Sequence, residues 1–160
     1  MSKYEELARI IQEAMEETSA AFFVTDIGVE AGPVVIISEE VAYMPPQADV
    51  TAIVGFEGGL EGGVHVSAPF HAASGLVEAF LGEPMDGFDA TAADGFGELA
   101  NILAGAVKGR LDDHMSLTPP RVVRAGEAMA LPYTRQLAAI KCYFRTEKGP
   151  FFVEVFQAVA

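Results

Sequence analysis

The chain has 160 residues, 51% of them hydrophobic, with one cysteine and ten basic against 23 acidic side chains for a formal net charge of -13. That length suits one domain with a real core and no need of disulfides, while the acidic excess repels phosphate backbones and anionic lipid and so argues against nucleic acid or a membrane surface as partner. The opening MSKYEELARI carries no signal-peptide hydrophobic run, and no apolar stretch approaches the roughly 18 residues of a membrane span, so a soluble cytoplasmic protein is expected.

In chain order, Leu7, Ile10, Ile11, Ala14 and Met15 recur at helical spacing between charges, which predicts an amphipathic packing helix over Tyr4 to Glu17. From Ala20 the pattern turns extended: AAFFVTDIGV, then PVVIISEEVAYM ending at Pro45 and Pro46, then ADVTAIVGF. GFEGGLEGGVHVSAPF predicts a β-hairpin turned by its glycines, with the second strand from Gly63 to Ser67. No GK[ST] follows that glycine-rich loop and Glu57 and Glu61 flank it, so a turn outweighs a phosphate cradle. Pro69 opens a short helix over Phe70 to Leu81, closed by Gly82.

A long helix follows, from about Ala92 to about Asp112, with Thr91 and Asp94 in capping-box spacing. Beyond it HMSLTPP is a loop. RVVRAG, AMALPY, QLAAIKCYFR and GPFFVEVFQAV alternate apolar and polar residues, the last two as an antiparallel pair turning at Glu147 to Pro150. The predicted class is α+β, a single layered domain over residues 1–160, with a largely antiparallel sheet and a long exposed helix.

That helix contains Asn101, Gly105 and Gly109 in its body, poor helix formers that together forgo roughly 2.5 kcal/mol relative to alanine. On a helical wheel Phe96, Leu99, Ala100, Leu103, Val107 and Leu111 share the face that must pack on the sheet. Asp94, Glu98, Asn101, Gly105, Lys108, Gly109 and Asp112 form the opposite stripe, where the glycines leave a low floor beside the chain's single asparagine. A polar stripe is commonly a solvated face, and a glycine floor is also compatible with a dimer contact.

Asp94-x-x-x-Glu98-x-x-Asn101, then Ala104-Gly105, then Leu117-Thr118-Pro119-Pro120, resembles the signature of the CheC/CheX/FliY family of chemotaxis phosphatases. The preceding hairpin, the helix FHAASGLVEAFLG and the RVVRAG segment follow the order of elements in CheX, so the resemblance covers about residues 48 to 126. The segment between motif and prolines is shorter than is usual in that family.

The resemblance implies a phosphatase acting on the phosphoaspartate of a phosphorylated CheY-like response regulator. It assigns Asn101 to orient the attacking water and Glu98 to pair with the regulator's lysine, with Asp94, Gly105 and Lys108 contributing to docking. It implies no cofactor of the chain's own, since Mg²⁺ is supplied in the partner receiver domain, and a homodimer with exposed motif helices. A neutral amide suits that role, because its oxygen accepts from water while its NH₂ donates to the phosphoryl group, whereas a carboxylate would repel the reacting centre. The alternative is a non-catalytic module of the same fold that docks a receiver domain or a flagellar-switch-type partner.

Other chemistry is weakly signalled. His65, His71 and His114 share no ligand spacing, so no metal site is expected. Ser67, Ser74 and Ser116 have no recognisable base nearby, and Cys142 lies in an apolar strand pattern. Glu13 and Glu16 on the first helix have no accompanying asparagine, so a second motif is not expected.

Overall fold

The computed structural model describes residues 3–22, 28–38, 48–59, 61–111, 114–125, 137–146 and 148–158. The elements in chain order are α1 (Lys3–Phe22), β1 (Gly28–Ser38), β2 (Val50–Glu57), β3 (Gly62–Ala68), α2 (Phe70–Leu81), α3 (Ala90–Leu111), β4 (Ser116–Leu117), β5 (Arg121–Arg124), β6 (Leu137–Thr146) and β7 (Gly149–Ala158). The strands make one seven-stranded sheet in the order β1-β6-β7-β3-β2, with β4 and β5 both paired to the outer edge of β2. Each strand pair is antiparallel. The expected α+β architecture with an antiparallel sheet is what the chain adopts.

Alternation along the strands gives the sheet two different faces. Across one run the registered residues Ala52, Val66, Val153 and Cys142, with the parallel row Val54, Val64, Val155 and Ile140 two residues along. These side chains are buried against Leu7, Ile11 and Ala14 of α1, Leu76 and Val77 of α2, and Phe96, Leu103 and Val107 of α3. All three helices therefore lie on this face. Cys142 is buried there and its Sγ lies 3.9 Å from the Ala8 carbonyl oxygen of α1; burial pushes its thiol up to about 11.

The other face carries Thr51 registered with Ser67, and His65 registered with Glu154, which is in turn registered with Lys141. The Thr51 and Ser67 hydroxyls share a 2.9 Å hydrogen bond. His65 and Glu154 are fully buried with Nδ1 and Oε1 3.4 Å apart, and the His65 ring packs on Phe156 at 4.5 Å between centroids. Burial first, and the Lys141 charge second, hold His65 down at about 3; burial pushes Glu154 up to about 8.

Several boundaries differ from the sequence reading. The first helix runs on to Phe22 rather than stopping near Glu17, because no glycine or proline interrupts residues 3–22 and Thr18 continues the buried stripe of Ala14 and Met15. The two extended runs AAFFVTDIGV and PVVIISEEVAYM contribute to a single strand: β1 starts at Gly28 and passes through Pro33 to Ser38. Proline is tolerated there because β1 is an edge strand and its register with β6 is irregular between Ala31 and Val34. Residues 39–47, which hold the remainder of the second run, and AMALPY lie outside the described residues.

The hairpin and second helix follow the reading closely. β2 and β3 pair from Val50↔Ala68 to Phe56↔Gly62, and Gly58 in the turn adopts φ 82°. α2 spans Phe70–Leu81 and ends in a left-handed Gly82 whose N–H donates to the Glu78 carbonyl. Pro69 is the N-cap residue and supplies no side-chain cap; the Asp49 carboxylate, before β2, accepts instead from the Phe70 N–H at 3.0 Å.

Candidate functional site on the third helix

The long helix starts two residues earlier than the Thr91–Asp94 spacing suggests. Asp89 is its cap: the carboxylate oxygen accepts from the Ala92 N–H at 2.9 Å, and the Asp89 carbonyl accepts from Ala93 at the same distance. Asp94 is thereby released from any capping role and stands exposed on the second turn. The helix reaches Leu111; Asp112 and Asp113 lie outside the described residues.

The wheel assignment holds across the described residues of the helix. Phe96, Leu99, Ala100, Leu103 and Val107 are buried and Leu111 packs partly on the core. Opposite them, Asp94 and Glu98 are exposed, Asn101, Gly105 and Lys108 are half-buried, and Gly109 is exposed. Among the described residues, the side chains of Asp94, Glu98 and Asn101 enter no hydrogen bond or ion pair. A Cβ on Gly105 or on Gly109 would meet nothing within 4 Å. The floor beside Asn101 is open, so these two glycines are not spacers between the helix and its own core.

Two further glycines, which the wheel passed over, are the spacers. A Cβ on Gly95 would fall 2.8 Å from Val77 Cγ1 of α2, and one on Gly97 would fall 3.3 Å from Val122 Cγ2 of β5 and 3.7 Å from Pro120 Cβ. They flank Phe96 in sequence, and that was the available signal: a bulky buried residue between two glycines marks where a helix is pressed between neighbours. At the far end Arg110 donates to Glu17 of α1 at 2.6 Å and lies 3.5 Å from Glu13. Glu13, the carboxylate that invited comparison with a second motif, also lies 3.9 Å from Arg9 and belongs to a structural ion-pair network.

The Leu117–Pro120 segment is not a plain loop. Ser116 and Leu117 form β4, paired to Glu57 and Phe56, and β5 resumes the pairing from Arg121 opposite Ile53. Between them prolines 119 and 120 have no N–H to donate, so the ladder must break. Thr118 bridges the break: its N–H donates to the Gly55 carbonyl at 2.9 Å, and its hydroxyl accepts from the Gly55 N–H at 2.8 Å. Gly55 leaves room for this, since a Cβ there would meet the threonine side chain at 3.2 Å.

His65 is buried in the sheet, and His71 and His114 are exposed. Among the described residues no group of three or more His, Cys, Asp or Glu side chains is placed to hold a metal ion. No described helix is long and apolar enough to cross a membrane. What α3 presents is a carboxylate and an amide on adjoining turns of one rigid, accessible face, with bare backbone beyond them.

No curated protein sequence matches the chain. Among solved structures, the chemotaxis protein CheX of Desulfovibrio desulfuricans is similar with a TM-score of 0.72 at 22% identity, over 95% of this chain and 99% of that one. A CheX of Borrelia burgdorferi, solved as a CheX–CheY–BeF3–Mg²⁺ complex, gives 0.70 at 19% identity over 94% and 97% of the two chains. Thermotoga maritima FliY gives 0.70 at 14% identity, over 100% of this chain and 92% of that one. These likenesses establish the fold, and the family model described as chemotaxis phosphatase CheX matches residues 50–145, more than half of the sequence. The chain belongs to the CheX family of chemotaxis phosphatases.

Proposed function

We propose that this protein hydrolyses the phosphoaspartate of a CheY-like response regulator, with Asn101 orienting the attacking water and Glu98 docking on the regulator's lysine. The observation that carries the reading is the joint display of Glu98 and Asn101 on the accessible face of α3, engaged by nothing among the described residues, beside the open backbone at Gly105. An acyl phosphate is already activated, and the receiver brings its own Mg²⁺ and lysine. The missing part is a correctly aimed water, which an amide supplies by accepting from the water and donating to the phosphoryl oxygens. Glu98, one turn earlier on the same face, reaches a cation without putting a carboxylate into the phosphate site. Asp94, Gly105 and Lys108 complete the docking stripe, and the protein works as a homodimer with two independent motif helices.

The test is a panel of phosphorylated receiver domains from the same cell, scored for accelerated loss of phosphate in Mg²⁺. At least one should be dephosphorylated faster, and p-nitrophenyl phosphate should be untouched, because half of the site belongs to the partner. Comparable activity on the small monoester would mean a complete catalytic centre within this chain and would overturn the reading. Tight receiver binding without turnover would select the non-catalytic docking module instead.

A further inference from the structure

Gly97 is the residue before Glu98 and one turn before Asn101, and its missing side chain lets α3 rest on Pro120 and Val122. Pro119, exposed, precedes Pro120, which lies against the helix at Gly97. That segment is stiff for three separate reasons: two consecutive prolines fix their own φ, Thr118 holds both polar groups of the Gly55 backbone, and β4 and β5 pin it to β2 on either side. A helix on an ordinary packing contact needs none of this. We infer that Thr118 and Gly97 are positioning residues, which fix the height of the motif helix against a rigid Pro119–Pro120 shoulder so that shoulder and motif meet the receiver domain as one surface.

The inference rests on the receiver-phosphatase reading and adds a second contact to it. If the partner touched α3 alone, a small displacement of the helix from the sheet would carry Glu98 and Asn101 along unchanged, and nothing would be lost. If the partner spans helix and shoulder, displacing one against the other misaligns both contacts.

The experiment is single-turnover dephosphorylation of a receiver domain that the wild-type protein serves, resolved into maximal rate and half-saturating concentration, with urea midpoints as the folding control. G97A places a Cβ 3.3 Å from Val122 Cγ2. It should raise half-saturation about five-fold while gaining helix propensity, and adding V122A should restore it. T118V keeps the shape but loses the acceptor for the Gly55 N–H, and should raise half-saturation with the maximal rate within about two-fold of wild type. P119E, at an exposed position, should weaken half-saturation with no change in urea midpoint. Wild-type half-saturation in G97A, T118V and P119E would show that α3 docks alone and overturn the inference while leaving the phosphatase reading intact. A wild-type protein that neither binds nor serves any receiver overturns both.

Discussion

On the reading proposed for Glu98 and Asn101, an amide and a carboxylate three residues apart on one helix face have separable duties, and the separation is measurable. Asn101→Ala should remove most turnover, about 10²-fold or more if water positioning supplies about 3 kcal/mol, while leaving receiver affinity near wild type and the helix slightly more stable. Glu98→Ala would remove the proposed charge-assisted contact, so affinity should fall together with rate, and the loss should shrink as salt rises because screening already weakens the wild-type pair. Glu98→Lys should be worse than alanine, since it sets two cations against each other. Single-turnover rates at two ionic strengths check all three. An Asn101→Ala protein with wild-type maximal rate would leave the interior asparagine as an unexplained loss of helix propensity.

Within α3 three glycines of one helix should respond to alanine in three ways. Gly105→Ala meets open space and should stabilise by up to about 1 kcal/mol. Gly95→Ala drives a methyl to 2.8 Å from Val77 Cγ1 and should destabilise in spite of the same propensity gain. Gly97→Ala, at 3.3 Å from Val122 Cγ2, should fall between them. Asp89→Ala removes the cap on Ala92 and should cost about 1 kcal/mol. Urea midpoints of these variants check the ranking. The polar stripe, the buried face and the α2 limits were legible because helical periodicity and end signals are local properties of the sequence. The start of α3 was not, because Thr91–Asp94 and Asp89 offer rival caps and the surrounding chain selects between them. β4 escaped notice because a two-residue strand has no periodicity. The role of Thr118 depends on Gly55, 63 residues away, which no local pattern reveals. The merging of two extended runs into β1 likewise depends on its place at the sheet edge, where Pro33 does no harm.

For the molecule as a whole, the buried His65–Glu154 pair should shape stability against pH. Unfolded, His65 takes up a proton below its ordinary 6.5, whereas the folded protein resists until about 3, so stability falls as pH drops through that window. Glu154 keeps its proton up to about 8 when folded but loses it above 4.5 when unfolded, so its contribution falls as pH rises from 4.5 towards 8. Between 4.5 and 6.5 the two slopes oppose each other, and this pair gives a plateau with a decline on either side. Glu154→Gln, which cannot ionise, should abolish the decline between pH 6.5 and 8, read from urea midpoints. Assembly is a separate property. Gly105→Leu should weaken receiver binding without changing the mass seen by light scattering, and conversion to monomers would mean that the glycine floor is a dimer contact.

Cys142 gives this architecture an internal clock. Its thiol is sealed between α1 and the sheet and held up at about 11, so at pH 8 the closed protein offers a thiol reagent only about a thousandth of its sulfur as thiolate, and no route to it. Once α1 lifts away, the same sulfur regains an ordinary thiol pKa of about 8.5 and reacts at once. The rate of labelling by a disulfide reagent should therefore follow the opening of α1 rather than reagent chemistry, and should become independent of reagent concentration when reagent is abundant. Charge reversal at Glu17, the α1 partner of Arg110, should quicken that clock, while Asn101→Ala, on the far side of α3, should leave it unaltered.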